Sequence, residues 1–590
     1  MLSGSRFFVT DLAGPFKTAN SGCSLQCGAG SSCGDCQELS DIDKEVEKAE
    51  NMARQAKTRR SDLLARVNSR RDALTSKLPV EIVCYIFEVY VQLHQEDTNI
   101  RDIARPRFFA PIHRSGPLRL GAICRNWRSI AWAHSRLWKT LVIAISSPGH
   151  DAGPIMVEEW LQRTGEQQLE VQMGDCQNNR DTLVGTPSGR PQMMMNARSI
   201  VRALNSVSSR WRSLDLSECP LDILSALDDT GCAANSILQH LCLGYHSEER
   251  RSYSLKLLKS KHRHQPVHLN ILCAIRPSRV NIKWTQLTHL YLENMSSKHC
   301  LRTLTWVTKS SPALSHLTLR LMDDFSHMDL GGETYYLRHP ALESLGIHEE
   351  ECDEDTASLL FGAFTLPALR TLKYYGDDEG NDFPTDMFLA FLNRSACSLE
   401  TLEIVNPCIE DDQLERILRA VPTVRTLNIE LTDENHSSFL FECLAQKDLH
   451  RHPALPFLPN LARLNITAEA PRHWRTFIGM FVDDPTVRGT DFGQKRPTRH
   501  ALQVTFKVQP GIPCREMDLK SLSQLVFLWR KYQFFSVFQF VDDSESTSVV
   551  GEVGFLAKSY RIGIMSLASP ALDKFVRLEE HLTVMSTLSF

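Results

Sequence analysis

Seven times between residues 287 and 466 the chain repeats the pattern apolar-x-x-apolar-x-apolar. Successive starts at Leu287, Leu314, Leu342, Leu369, Leu399 and Val424 lie 27, 28, 27, 30 and 25 residues apart, and a seventh copy starts at Leu461. With 42% hydrophobic residues, three chosen positions are all apolar by chance only about 7% of the time, so the spacing is a property of the chain. Alternate residues of a strand share a face, so the last two apolar positions point one way and the third position, before them, the other. One such unit cannot bury its apolar face alone. Units of this size must stack, and 590 residues therefore need fewer separate cores than the roughly four domains their number suggests.

Weaker copies lie upstream at Trp138/Leu141/Ile143, Trp211/Leu214/Leu216 and Leu238/Leu241/Leu243, with partial ones at Leu169/Val171 and Leu269/Ile271. Between strands the period becomes helical. Leu414, Ile417, Leu418 and Val421 fall at i, i+3, i+4 and i+7, with Asp411 or Asp412 expected as N-cap and Pro422 closing the run. Met387, Phe388, Phe391 and Leu392 repeat this after Pro384. One strand and one helix every 25–30 residues resembles the leucine-rich repeat family. The resemblance covers about residues 139–467, with an insertion near 174–200, and implies an α/β solenoid taken here as residues 139–508. It departs from the family at the Asn or Cys expected three residues after each strand, found only as Cys219. Residues 509–590 are expected to form a C-terminal cap and tail, including a helix over Leu519–Tyr532.

The N-terminal 39 residues, rich in Gly, Ser and Cys, read as an unstructured tail. Cys23, Cys27, Cys33 and Cys36 could hold zinc, but their spacing is irregular and the tail is the preferred reading. From Ser40, with Asp43 placed for a capping box, a basic amphipathic or coiled-coil helix is expected over 40–77. Its seam runs Ile42, Val46, Ala49, Ala53, Ala56, Arg60, Leu63, Val67, Arg70, Leu74. A helical partner, an anionic surface, or folding back onto the next domain would each suit it, the last being preferred for so short a seam.

Residues 78–87 read Leu-Pro-Val-Glu-Ile-Val-Cys-Tyr-Ile-Phe, with Pro79 and Glu81 suited to a helix start and Ile82, Val83 and Ile86 forming an apolar face. After an insertion at 93–117 come Ile123-Cys124-Arg125-Asn126-Trp127 and a closing Leu137-Trp138. Together these resemble the F-box, and with the repeats behind them the chain is similar to fungal F-box proteins with leucine-rich repeats. The resemblance implies that residues 78–138 form an all-helical module. In it Leu78, Pro79, Ile82, Ile86, Ile123, Cys124 and Trp127 would bind or support a Skp adaptor and, through it, a cullin. The chain would then be the non-catalytic substrate-recognition subunit of a Skp-cullin-F-box ubiquitin ligase in the cytoplasm or nucleus. A repeat scaffold or regulator outside ubiquitin ligation is the alternative. The same apolar residues could also simply pack on the first repeat.

The third template positions, His289, His316, Ser344, Thr371, Thr401 and Thr426, are expected on the open face of the sheet. Their hydroxyls could hold an extended ligand, although Thr also simply suits an exposed strand. Acidic runs follow five successive strands, the densest being Glu349 to Asp355, which includes Glu350, Glu351, Asp353 and Glu354. They suggest a negative rim and a basic target. His262, His264 and His268 could bind a metal but fall in a basic stretch read as a solvated helix and loop. No phosphate-cradling loop, His-Glu-x-x-His or nucleophile elbow occurs, so neither catalysis nor a cofactor or metal is expected. A net charge of −4 argues against nucleic acid, and no run approaches the roughly 18 apolar residues of a membrane span. Seventeen scattered cysteines fit reduced, buried thiols.

Overall fold

A computed structural model describes residues 34–71, 77–96, 116–144, 153–174, 190–219, 221–229, 236–244, 257–295 with short breaks, 297–322, 335–350, 356–376, 382–405, 409–430, 434–445, 457–468, 502–508 and 536–539, with a few single residues besides. The chain divides into two compact units. The first holds residues 1–93 and 116–134, and the second holds the rest. Cys23, Cys27 and Cys33, the helix expected over Leu519–Tyr532 and residues 540–590 lie outside the described residues.

In the first unit, α1 runs Gly34–Arg71 and α2 Val80–Glu96, followed by α3 Gly116–Ile123 and α4 Arg125–Ala133. Helix α1 starts six residues before the expected N-cap, because no Gly or Pro interrupts the sequence after Gly34. Ser40 and Asp43 therefore lie inside the helix rather than capping it, and residues 34–39 leave the expected tail. The core forms where α2 turns Val83, Phe87 and Val91 inward, 0%, 1% and 6% exposed at i, i+4 and i+8. Phe87 meets Trp127 with ring centroids 4.9 Å apart. Gly121 admits the Trp132 ring against its backbone, where a Cβ would lie 2.0 Å from a ring carbon. The unit is all-helical among its described residues.

In the second unit, the described residues form one sheet of fourteen strands, all paired in parallel, twelve of them on full or partial copies of the repeat template. They are β1 Thr140–Ala144, β2 Leu169–Gly174, β3 Trp211–Glu218, β4 His240–Leu243, β5 His268–Ile271, β6 His289–Met295 and β7 His316–Met322. After β8 Leu337–Arg338 come β9 Ser344–Glu350, β10 Phe364–Thr365, β11 Thr371–Tyr375, β12 Thr401–Val405, β13 Thr426–Glu430, β14 Arg463–Ala468, β15 Gln503–Val508 and β16 Ser536–Gln539. Among the described strands only β8 and β10 stand apart, as a two-stranded pair. Each strand neighbours the next in the chain, the order a stacked repeat requires. The sheet runs past residue 508 into the segment expected as cap and tail, because β16 pairs with β15.

Burial follows the template. Its first positions Leu287, Leu314, Leu342, Leu369, Leu399 and Val424 are at most 1% exposed, and the apolar pairs after them, such as Leu345/Ile347 and Leu402/Ile404, are fully buried. Trp138, at the close of the expected 78–138 module, belongs instead to this unit. Its ring meets Trp160 at 4.7 Å, and the Trp160 indole donates to its carbonyl at 2.7 Å. Cys219 fills the family-like position, its thiol donating to the Met173 carbonyl at 3.1 Å. Part of the expected 174–200 insertion is helix, Arg190–Ser206.

Helix Asp411–Ala420 buries Leu414, Ile417 and Leu418, but its N-cap is Glu410, whose N–H donates to Gln413 Oε1 at 3.4 Å, and not Asp411 or Asp412. In helix Thr385–Ser395, Phe388, Phe391 and Leu392 turn inward while Met387 stays exposed, one residue being 100° around the helix from the next. The expected solvated helix before Arg263 is not what residues 257 and 258 show: Leu257 bridges to Val280, and both leucines are fully buried. No helix among the described residues is long and apolar enough to cross a membrane.

Candidate binding surfaces

Helix α2 carries a second apolar stripe that its own unit leaves uncovered. Ile82, Ile86, Val89 and Leu93 follow one another at four, three and four residues and are 45%, 37%, 37% and 59% exposed, with Tyr85 beside them at 65%. Leu78 and Val80 extend the stripe at the helix start, and Ile123 at the end of α3 is 52% exposed. Val83, expected on the same face as Ile82 and Ile86, is turned into the core. Pro79 starts the helix by accepting from the Ile82 and Val83 amides at 3.1 and 3.2 Å. Cys124 is the N-cap of α4, its sulfur accepting from the Trp127 amide at 3.4 Å, and the half-buried Trp127 packs on Phe87. Among the seven residues singled out, Leu78, Pro79, Ile82, Ile86 and Ile123 are thus exposed, while Cys124 and Trp127 hold the helices that present them. Solvent-facing aliphatic side chains in such a run form an exposed apolar patch of the kind that contacts between proteins use.

The second surface is the open face of the sheet. Strand register places His289, His316, Ser344, Thr371, Thr401 and Thr426 in one row, none of them buried. The row continues upstream through His268 and His240. The four imidazoles stack with centroids 4.5, 4.2 and 4.1 Å apart. Thr288 Oγ1 lies 3.2 Å from the Val267 carbonyl and 2.8 Å from His289 Nδ1. Because the hydroxyl has one proton and the carbonyl can only accept, Nδ1 is the donor toward Thr288, which leaves Nε2 of His289 as an acceptor. Ser315 sets His316 the same way, at 3.2 Å from the Thr288 carbonyl and 2.9 Å from Nδ1.

Two to six positions further along the strands lie groups that the repeat template did not single out. Arg320 joins Glu293 and Glu350, its Nε donating to Glu350 at 2.8 Å and Nη1 lying 3.3 Å from Glu293. His348 stacks on Tyr375 at 4.0 Å, and the Tyr375 hydroxyl donates to Glu403 at 2.5 Å. Lys373 lies 3.3 Å from Glu403, and Asn428 donates to it at 3.1 Å. Burial pushes the Glu403 carboxyl up, but the Tyr375 hydroxyl, Lys373 and Asn428 together hold it below its ordinary range. Extending the template by one alternating position would have found Glu293, Arg320, His348 and Tyr375.

The acidic rim changes character. Glu349 is buried and accepts from the Tyr374 hydroxyl, and Glu350 is engaged by Arg320, so the start of the run faces partners within the sheet. Glu351, Asp353 and Glu354 lie outside the described residues. The histidines read as possible metal ligands also separate. His262 is exposed and His268 joins the stacked row, while His264 is buried against Trp211 with Nδ1 2.5 Å from Ser236 Oγ.

The stacked row has a consequence for acid stability. Burial first, and the neighbouring imidazoles second, push His289 down to about 4, and burial likewise lowers His268. Above pH 6.5 both folded and unfolded chains hold these rings neutral. As pH falls from 6.5 toward about 4, the unfolded chain binds protons that the folded row refuses, so stability falls. With solvent screening allowed for, the loss at His289 is on the order of 1 kcal/mol. Urea midpoints measured across that window should fall for the wild type and fall less for His289→Asn. Equal slopes would contradict the assignment.

The fold is mixed α/β, with one long parallel sheet compatible with a repeat solenoid, and a separate small helical unit. No protein-family model and no curated protein matches the sequence.

Proposed function

We propose that this chain is the substrate-recognition subunit of a Skp-cullin-F-box ubiquitin ligase, with the helical unit binding the Skp adaptor and the repeats, read as leucine-rich, binding the target. The observation that carries the reading is the uncovered stripe Ile82, Ile86, Val89 and Leu93, on a helix whose opposite side already supplies its unit's core. A helix that needed only to fold would not carry two apolar faces. The stripe begins at the Leu78-Pro79 start from which the F-box resemblance takes its adaptor contacts. On the sheet, acceptors at His289 and His316, hydroxyls from Ser344 to Thr426 and the carboxylate of Glu403 suit a target segment rich in N–H donors. Holding target and adaptor on one chain would raise the effective concentration of target lysines near a conjugating enzyme, whose chemistry belongs to other subunits. Affinity purification of the tagged chain, with the proteasome inhibited, tests this. Adaptor and cullin are expected to co-purify with it, whereas their absence would favour a scaffold outside ubiquitin ligation.

A further inference from the structure

Helix α1 is 38 residues long, and every side chain described between Gln37 and Leu64 is solvent-exposed. Folding back onto the next helices, the preferred expectation for this segment, is not what the structure shows over that length. Among the described residues its one ion pair to another element of its unit is Asp62 with Arg125, at 3.0 Å. The apolar seam faces away from Asp62, 3.6 residues per turn carrying it to the other side of the helix. On it Leu39, Ile42 and Val46 are 61%, 49% and 52% exposed at one end, and Leu63 and Val67 are 47% and 41% exposed at the other. Ala49, Ala53 and Ala56 lie between. From Leu39 to Val67 this is about four heptads, long enough for a two-stranded coiled coil.

The charges say what kind of helix fits. Residues 38–50 hold six acidic side chains against two lysines, and residues 54–67 hold five basic ones against Asp62 alone. The helix dipole favours acids in the first turn and bases in the last, but it does not reach the middle turns over which this division extends. A helix with one negative and one positive half is complementary to itself when reversed. We propose that α1 pairs in antiparallel orientation with α1 of a second copy of this chain, centred near Asn51. That register sets Leu39 against Leu63, Val46 against Ala56 and Ala49 against Ala53, with Asp43 facing Arg59 and Glu45 facing Lys57. It also accounts for Arg60 in the seam, whose stem would lie over Ile42 and whose head would reach Asp41 or Asp43. Parallel pairing would oppose Arg60 to Arg60 and each half to its like charge, an arrangement disfavoured by repulsion.

The test uses the full chain. Light scattering should give twice the 66.9 kDa chain mass for the wild type. Lys57→Glu with Arg59→Glu and Arg60→Glu, or Glu45→Lys with Glu47→Lys and Glu50→Lys, should each weaken the dimer about 100-fold or more. An equimolar mixture of the two variants should restore it as a heterodimer. A photo-crosslinking residue placed at Leu39 should capture peptides near residue 63 of the second copy. A monomeric wild type, a dimer that survives both reversals, or capture of the second copy near residue 39 would each overturn the proposal.

Discussion

Replacing Ile82 and Ile86 together by aspartate is expected to abolish capture of the Skp adaptor while leaving the helical unit folded. Both side chains are more than a third exposed, so neither is needed for the unit's own core, which Val83, Phe87 and Val91 supply. Covering the exposed part of each isoleucine contributes about 1 kcal/mol by area. Placing a carboxylate under an apolar partner costs several kcal/mol more, because a buried charge there has nothing to pair with. The combined loss is on the order of 4–6 kcal/mol, or about a thousandfold or more in affinity. A pull-down with purified adaptor reads the binding, and far-ultraviolet circular dichroism reads the fold. Capture at wild-type levels would mean that this stripe is not the adaptor surface.

The largest expected effect on the repeats comes from Phe361→Ala. Phe361 is fully buried where two helices meet the sheet, its ring 5.4 Å from Phe388, 5.6 Å from Phe391 and 6.1 Å from Phe383. Tyr374 closes the cluster at 6.4 Å. The neighbours cannot collapse freely into the vacated space, because Arg394 ties the two helices together by donating to the Phe364 carbonyl at 3.0 Å and to that of Phe361. Truncation there should cost about 3–5 kcal/mol. Since each repeat leans on its neighbours, the loss should appear as a lower urea midpoint for the sheet-bearing unit. A midpoint unchanged from wild type would show that the cluster does not carry this part of the core.

These two sites differ in how far the sequence reveals them. Buried template positions recur every 25–30 residues in one fixed internal pattern, so Leu345, Leu372 and Leu402 can be placed in the core, in register, from the chain alone. Charged positions have no such period. Glu349 reads as one acid in a repelling run, yet the hydroxyl that satisfies it belongs to Tyr374, 25 residues on and one strand across. The same holds for Arg320, whose two carboxylate partners come from the strands on either side. On α2, neighbouring Ile82 and Val83 read as one face because both are apolar, and only the packing of Phe87 against Trp127 fixes which side is inward. The histidine row is half legible, since His289 and His316 occupy strong copies of the template, while His240 lies in a weaker one and His268 in a partial one.

The central claim is that the stripe on Val80–Glu96 is the seat of the Skp adaptor. Hydrogen exchange of the full chain, with and without saturating purified adaptor, tests it most directly. The claim predicts a complex of one adaptor per chain, with amide exchange slowed across residues 80–96 and at the end of the helix carrying Ile123, and little change in the sheet. No complex, or a complex that protects other segments and leaves residues 80–96 exchanging as before, would contradict it.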